Sequence, residues 1–180
     1  MLLIGLVGKM QSGKTTISQY LNGHYKLLNP SIPVIKIAFG DLLKHMILQS
    51  GLCTKEELWG VKTEFSRLML QKIGTEIIRK QVDENFWVNK MRDVLNDLKV
   101  QSPTCIVIID DVRFINEASL IQEFGGKLIR INRPSLEQNK VENQHLSETE
   151  QDNIDVNFTI INDGSIREFE NKMDDVLKTI

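Results

Sequence analysis

Residues 1–16 read M-L-L-I-G-L-V-G-K-M-Q-S-G-K-T-T, and the fold follows from this stretch. The apolar residues 2–7 predict a buried strand, and residues 8–15 match the pattern G-x-x-x-x-G-K-[ST]. Glycines let the backbone wrap around a phosphate chain with its N–H groups turned inward, and the next helix adds the positive end of its dipole. The alternative is a glycine-rich turn without a ligand. A full match between a strand and a helix favours a nucleoside triphosphate site.

We call residues 8–15 the phosphate loop. Lys14 is expected to reach the β- and γ-phosphates of ATP, and the Thr15 hydroxyl is expected to hold Mg²⁺. The candidate ATP ligands in this stretch are Gly8, Lys9, Gln11, Ser12, Gly13, Lys14, Thr15 and Thr16.

Composition and charge narrow the class of protein. With 180 residues, 41% hydrophobic and 26% charged, the chain fits one globular domain. Its 22 basic and 24 acidic residues give a net charge of −2, which argues against binding to nucleic acid. Two distant cysteines favour a reducing compartment. The apolar runs are too short for a membrane span or a signal peptide, so we expect a cytoplasmic protein, in the host cytoplasm if viral.

Further along the chain, predicted strands alternate with predicted helices. The later strands are residues 34–39, 105–109, 127–131 and 156–161. The helices are residues 15–21 (ended by Asn22-Gly23), 41–47 (with Asp41 as N-cap), 64–81, 86–98, 113–124 and 166–177. This alternation predicts an α/β, three-layer fold of the P-loop NTPase type with a five-stranded parallel sheet.

The helix predicted at residues 64–81 carries two stripes at four-residue spacing. We expect one to face the core and the other to line a ligand, although a solvated face is the common alternative. Gly74 weakens this helix by about 1 kcal/mol, which predicts close approach by a ligand or another backbone. The apolar stripe is Phe65, Met69, Ile73 and Ile77, and the polar stripe is Arg67, Gln71, Thr75 and Arg79.

Two acidic residues, Asp110 and Asp111, directly follow the apolar run at residues 105–109. Such a run predicts a parallel strand buried on both faces, and open α/β sheets bind ligands at the carboxyl ends of their strands. We therefore expect one of the two to lie near Mg²⁺ in a Walker-B-like role. A helix N-cap is the alternative for either residue.

A polar segment without periodicity covers residues 135–153. It is longer than an ordinary connection, which favours a mobile lid, over about residues 133–153, rather than a passive loop. His145 within it is expected to be a surface residue and not a metal ligand. Together with the phosphate loop, these features favour a small kinase acting on a phosphorylated small molecule.

The chain resembles the deoxynucleoside monophosphate kinases of tailed bacteriophages, which belong to the P-loop nucleoside monophosphate kinase group. The resemblance rests on residues 1–16 and on motifs in the family's order and spacing from residue 64 onward. These motifs are Arg67-Leu68-Met69 through Gly74-Thr75, Phe86-Trp87-Val88, Asp111-Val112-Arg113 through Glu117, Arg133-Pro134, His145-Leu146-Ser147-Glu148 and Asn162-Asp163-Gly164-Ser165.

The resemblance implies transfer of the ATP γ-phosphate to a deoxynucleoside 5′-monophosphate, for DNA precursor synthesis, with Mg²⁺ as cofactor. It also implies that a helical insert at about residues 40–90 binds the acceptor, within a single kinase domain of residues 1–180. A homodimer is left open. Two other functions also stay open: a P-loop kinase of the phosphomevalonate or dephospho-coenzyme A type, and a non-enzymatic nucleotide switch.

Roles for single residues follow from this resemblance and from phosphate chemistry. Lys14, Arg67, Arg113 and Arg133 are the catalytic candidates, since guanidinium groups bind phosphate oxygens bidentately. Asn162 and Gly164 are expected against the adenine edge, and Arg133 on adenine or phosphate. The metal candidates are Thr15 and Asp111. Phe39 and Trp87 are expected to pack on the acceptor base, each with a core role as the alternative. The other acceptor candidates are Asp41, Arg67, Gln71, Thr75, Arg79, Asp111, Arg113 and Glu117.

Overall fold

A parallel sheet organises the computed structural model, which describes residues 1–136 and 149–180. Its five strands lie in the order β2-β3-β1-β4-β5, and every neighbouring pair is parallel. The predicted five-stranded parallel sheet is confirmed. The strands are β1 Leu2–Val7, β2 Val34–Ile37, β3 Ile106–Val112, β4 Lys127–Asn132 and β5 Phe158–Ile161.

Helices fill most of the connections between these strands. Within the described residues they are α1 Lys14–Leu28, α2 Asp41–Gln49, α3 Lys55–Trp59, α4 Glu64–Gln71, α5 Phe86–Gln101, α6 Ile115–Glu123 and α7 Ile166–Leu177. A π-helix at Lys72–Val82 continues α4, and short 3-10 turns lie at Pro134–Leu136 and Glu150–Asn153. In this part of the chain, no helix combines the length and the apolar character needed to cross a bilayer.

The chain divides into two compact units. The first unit, Met1–Ala38 with Val94–Ile180, contains the whole sheet. The second unit is Phe39–Asp93, close in its bounds to the region of about residues 40–90 that the resemblance predicts to bind the acceptor. That role, and the assignment of the whole chain to one domain, stay predictions.

The core of the first unit lies on both faces of the sheet. Alternate residues of the strands, among them Ile4 and Ile108, pack with Ile17 of α1 and Phe169 of α7 in one buried cluster. On the opposite face, Gly5 of β1 approaches α6 so closely that a Cβ there would lie 2.6 Å from Ile121 Cδ1. Since successive side chains of a strand point to opposite faces, the sheet forms the middle of three layers.

Two predicted helix boundaries in the chain were wrong. Helix α1 does not end at Asn22-Gly23 but runs on to Leu28. A glycine inside a helix costs about 1 kcal/mol relative to alanine. Tertiary packing offsets this cost at Gly23, because Tyr25 packs against the core of the first unit. Asp41 is the first residue of α2 rather than its N-cap; Gly40 takes that position without a side-chain hydrogen bond.

The apolar stripe predicted in the second unit is only partly buried. Met69 and Ile73 pack against its core, as predicted, whereas Phe65 and Ile77 are 48% and 44% exposed, so their core role was wrong. The reason is helix geometry. A four-residue step is longer than the about 3.6 residues of an α-helical turn, so the stripe drifts around the helix and leaves Phe65, at its start, outside the buried face. Beyond α4 the chain is a π-helix, and there Ile78 rather than Ile77 packs against the core with Ile73.

Most of the predicted lid, together with His145-Leu146-Ser147-Glu148, lies outside the described residues. Its far end is described, and there Gln151 is fully buried. The Arg130 guanidinium donates hydrogen bonds to the Gln151 and Ile154 carbonyl oxygens, at 3.0 and 2.6 Å. The chain is therefore already packed beside β4 at Gln151, and mobility of the segment before it stays a prediction.

Candidate functional site

The phosphate loop follows β1 and adopts a backbone that requires glycine. Gly8 and Gly13 have φ angles of +152° and +111°, which residues with a Cβ rarely adopt. A Cβ at Gly8 would also lie 2.4 Å from the Ile131 carbonyl oxygen. The Ser12 N–H donates to the Lys9 carbonyl at 3.1 Å and closes a turn within the loop. The glycines of the motif are thus used for backbone shape.

Lys14 curls back over the phosphate loop. Its ammonium donates hydrogen bonds to the carbonyl oxygens of Gly8 and, at 2.8 Å, Lys9. Arg133 also reaches the loop, and its guanidinium lies 3.4 Å from the Gln11 carbonyl oxygen. Two of the predicted catalytic cations therefore lie at the loop that was expected to bind the donor phosphates.

A cavity opens beside the loop at the carboxyl end of β4. It is rich in cations, and the Lys9 ammonium pairs with the Asp152 carboxylate at 3.2 Å. Positive charge of this kind suits a polyphosphate. Sequence reasoning missed Arg130, Asn132 and Asp152, although the position of Asn132 at a strand's carboxyl end was a usable signal. The lining residues are Gly8, Lys9, Ser12, Arg130, Ile131, Asn132, Arg133 and Asp152.

Ser12 tests whether the cavity suits a phosphate. Its hydroxyl is buried and has no hydrogen-bond partner among the described residues. A buried polar group left in this way costs about 1–3 kcal/mol. A ligand phosphate oxygen would supply the missing acceptor, so the loop fits the ATP phosphates.

Asp110 and Asp111 lie within β3, which is longer than predicted. Between Gly5 and Val7 of β1 the pairing with β3 shifts, so that β3 carries one extra residue at this point, a bulge of the kind found beside active sites. The Asp110 carboxylate pairs with the Lys36 ammonium at 2.7 Å. Lys36 was not predicted, and its charge offsets that of the Asp110 carboxylate.

Thr15 and Asp111 stay predictions as ligands of Mg²⁺. Thr15 is exposed and Asp111 is half-buried. In the part of the chain that the structure describes, no three acidic, histidine or cysteine side chains cluster as a metal site. Mg²⁺ commonly keeps several waters and uses one or two carboxylates plus substrate phosphates, so a cluster is not needed.

Glu117 caps α6 and shapes the turn that carries Arg113. Its carboxylate is buried and accepts hydrogen bonds from the backbone N–H groups of Arg113, at 2.8 Å, and Phe114, at 3.2 Å. The capping role considered for Asp110 or Asp111 is therefore performed by Glu117. Direct contact of Glu117 with the acceptor stays a prediction.

The turn between β5 and α7 contacts the phosphate loop. The Asn162 side-chain amide donates to the Ser12 carbonyl at 2.8 Å. On the same turn, the Asp163 carboxylate accepts a hydrogen bond from Lys172 of α7 at 2.6 Å, which lowers the pKa of that carboxyl. Gly164 is exposed. Sequence reasoning had placed Asn162 at the adenine edge, and the loop contact was not foreseen.

The polar stripe of the second unit runs into its interior. Thr75 and Arg79 are only 5% and 7% exposed, whereas Arg67 is exposed and Gln71 is half-buried. The Arg79 guanidinium donates to the Glu84 carbonyl oxygen at 3.1 Å. Thr75 and Arg79 therefore do not lie on a solvated face, which was the alternative for this stripe.

Gly74 does admit a close neighbour, but the neighbour is a side chain. A Cβ at Gly74 would lie 2.6 Å from Leu43 Cδ2, and the Gly74 carbonyl accepts a hydrogen bond from the Trp87 indole at 2.9 Å. The predicted approach by another backbone was wrong at this position, and approach by a ligand stays a prediction. Phe39 and Trp87 are both buried, which favours the core role over base stacking.

The parallel sheet and the phosphate loop place this chain among proteins with the α/β P-loop fold. Thymidylate kinase from Ehrlichia chaffeensis has a similar structure, with a TM-score of 0.55 over 98% of each chain and 15% sequence identity. An identity this low shows a shared fold alone.

The family follows from sequence comparison. The model of the deoxynucleotide monophosphate kinase family matches residues 39–173. A protein of Acanthamoeba polyphaga mimivirus, provisionally named a deoxynucleotide monophosphate kinase, is 32% identical over 94% of this chain and 92% of its own length. The deoxynucleotide monophosphate kinase of Enterobacteria phage T4 is 29% identical over 69% of this chain, which spans 48% of that protein. This chain belongs to the deoxynucleotide monophosphate kinase family.

Proposed function

We propose that this chain transfers the γ-phosphate of ATP to a deoxynucleoside 5′-monophosphate and so forms the diphosphate. The observation that carries the proposal is the family match over residues 39–173, preceded in the same chain by a complete phosphate loop. The fold supports it, because P-loop kinases share this sheet and loop. A kinase for another small molecule and a nucleotide switch are not favoured by the family.

On the donor side, the phosphate loop amides and Lys14 bind the ATP phosphates, and Arg133 approaches them from the end of β4. Thr15 and Asp111 are the residues that would hold Mg²⁺, which neutralises phosphate charge when it is bound. Lys9, Gln11, Ser12 and Thr16 complete the proposed donor contacts, and Gly164 lies at the adenine. The unpartnered Ser12 hydroxyl supports this assignment.

On the acceptor side, Arg67 and Arg79 bind the monophosphate, and Arg113 binds either that group or the phosphoryl group in transfer. Guanidinium groups suit this task because they hold two phosphate oxygens at once. Phosphoryl transfer depends on positioning and on neutralising charge, and the attacking phosphate oxygen is already anionic. No general base is needed. Asp41, Gln71 and Thr75 are the proposed polar contacts to the rest of the acceptor.

The test is an acceptor panel. The purified chain is given MgATP and each of dAMP, dCMP, dGMP and dTMP, with the ribonucleotides, dephospho-coenzyme A and phosphomevalonate as competing acceptors. We expect at least one deoxynucleoside monophosphate to yield its diphosphate, with one ADP formed per diphosphate. ATP hydrolysis without any phosphorylated acceptor would support a switch, and transfer only to a competing acceptor would place the chain among other small-molecule kinases.

A further inference from the structure

Asn162 is the residue directly after β5, and its backbone is held firmly. Its N–H donates to the Asn132 carbonyl at 2.7 Å, which extends the pairing between β4 and β5 by one residue. Lys172 of α7 donates to the Ile161 carbonyl at 2.9 Å and fixes the preceding peptide. The Asn162 side chain therefore starts from a rigid position at the carboxyl edge of the sheet.

From this position the Asn162 side-chain amide binds the Ser12 carbonyl oxygen at 2.8 Å. The carbonyl of Ser12 and the N–H of Gly13 belong to one peptide group, and none of the described residues has a cis peptide bond. In a trans peptide these two groups point in opposite directions. A Ser12 carbonyl that points towards Asn162 therefore turns the Gly13 N–H away from Asn162. Phosphate loops bind their ligands with backbone N–H groups, so this orientation matters for binding.

Packing around Gly13 favours the same orientation. A Cβ at Gly13 would lie 2.7 Å from the Asn162 amide nitrogen and 2.9 Å from Phe169 Cε1. Phe169 is buried in the core of the first unit, so it has little freedom to move aside. Rotation of the Ser12–Gly13 peptide would break the hydrogen bond to Asn162 beside this tightly packed wall.

We propose that Asn162 is a positioning residue for the phosphate loop: through the Ser12 carbonyl it holds the Gly13 N–H in the orientation that binds the donor phosphates. This role differs from the contact with the adenine edge expected from the sequence. It rests on the proposed function only in that the loop binds a polyphosphate.

The experiment measures binding of three ligands that share phosphates and differ in the base: inorganic tripolyphosphate, ATP and GTP. Titration calorimetry compares the full chain with Asn162→Ala and with Asn162→Leu, which keeps the branched shape of the side chain but has no hydrogen-bond donor. Asn96→Ala, an exposed position on α5, is the matched control. Thermal unfolding of each unliganded variant shows whether it is folded.

We expect both Asn162 variants to raise the dissociation constants of all three ligands by the same factor, about threefold to tenfold, which is the effect of one hydrogen bond. Asn96→Ala should change none of them. If Asn162→Ala fails to fold, Asn162→Leu decides the question, because it retains the contact with Gly13.

Three results would overturn the proposal. Weaker binding of ATP with unchanged tripolyphosphate would assign Asn162 to the adenine. Unchanged binding of all three ligands would leave it with a packing role. A wild-type chain that binds ATP but not tripolyphosphate would show that the loop is not the main phosphate contact. The proposed kinase activity is tested separately, in the acceptor panel. Binding of tripolyphosphate does not require that activity, so either proposal can fail without the other.

Discussion

Gly13 in the first unit and Gly74 in the second each have a neighbour too close for a side chain, but for different reasons. Gly13 has a φ angle of +111° and meets Asn162 and Phe169, so both its backbone and its surroundings exclude a Cβ. Gly74 lies in a π-helix and meets only the end of the Leu43 side chain. The phosphate loop thus requires glycine by its own conformation, whereas the helix requires it because of a neighbour.

The polar groups of the phosphate loop and of the second unit also differ in what determines their positions. The phosphate loop collects its candidate ligands from consecutive residues. In the second unit, Thr75 and Arg79 owe their burial to the packing around a π-helix. A binding site can therefore be predicted from sequence where the local backbone conformation forms it. Prediction is harder where packing decides which face of a helix is buried.

The largest expected effect comes from removing the cation of the loop. Lys14→Ala should lower kcat/KM for the deoxynucleoside monophosphate reaction by on the order of a hundredfold to a thousandfold, because a charge aimed at the transferring phosphate is lost. A coupled assay for ADP measures it. Lys26→Ala, an exposed lysine in the last turn of α1, is the control. Near-normal turnover with Lys14→Ala would remove the kinase assignment.

Gly13→Ala and Gly74→Ala test the comparison directly. Gly13→Ala combines an unfavourable φ with overpacking, about 2–4 kcal/mol of destabilisation. In Gly74→Ala, overpacking costs about 1–3 kcal/mol, but alanine's better helix propensity returns about 1 kcal/mol. The free energy of unfolding should therefore fall less in Gly74→Ala than in Gly13→Ala.

Urea unfolding followed by circular dichroism measures both variants. The two tryptophans, Trp59 and Trp87, lie in the second unit, so their fluorescence reports on Gly74→Ala in particular. A larger loss of stability in Gly74→Ala than in Gly13→Ala would contradict the distinction between the two glycines.

Arg67→Ala tests whether the second unit binds the acceptor phosphate. Loss of a charge-assisted hydrogen bond to phosphate, about 1.5–3 kcal/mol, should raise KM for the monophosphate roughly tenfold to a hundredfold and leave KM for ATP nearly unchanged. Initial rates with each substrate varied in turn measure both constants. Arg167→Ala, exposed on α7, should change neither. Equal effects on both substrates would assign Arg67 to the transferring group.

The smallest effect concerns the start of α7. The Ser165 backbone N–H and hydroxyl donate to the Glu168 carboxylate and lower its pKa below the ordinary value of 4.5. A carboxyl whose pKa is depressed by folding contributes stability above its unfolded pKa, and that contribution disappears as the pH falls through the folded pKa. The difference in Tm between wild type and Glu168→Ala should therefore shrink as the pH falls below 4.5. A pH-independent difference would show that the capping hydrogen bonds do not depend on the charge.

Much of the sheet was predictable because its signals are local. Apolar runs followed by turn residues predicted all five strands and their parallel arrangement, with errors of a few residues at the ends. Helix α1 was cut short because Asn22-Gly23 is a strong turn signal when packing is unknown. The core role of Phe65 and Ile77 was predicted wrongly because residue spacing alone shows neither where the buried face of a helix ends nor that an α-helix continues as a π-helix.

The sequence by itself determined the phosphate loop, the alternation of strands and helices, and membership of the kinase family, since each depends on residues close together in the chain or on motifs in a fixed order. Tertiary structure decided the pairing of Lys36 with Asp110, the burial of Arg79 and the bond from Asn162 to Ser12. These contacts join residues that only folding brings together, 150 positions apart for Asn162 and Ser12. No local pattern specifies a partner at that separation, because the packing of the intervening chain sets it.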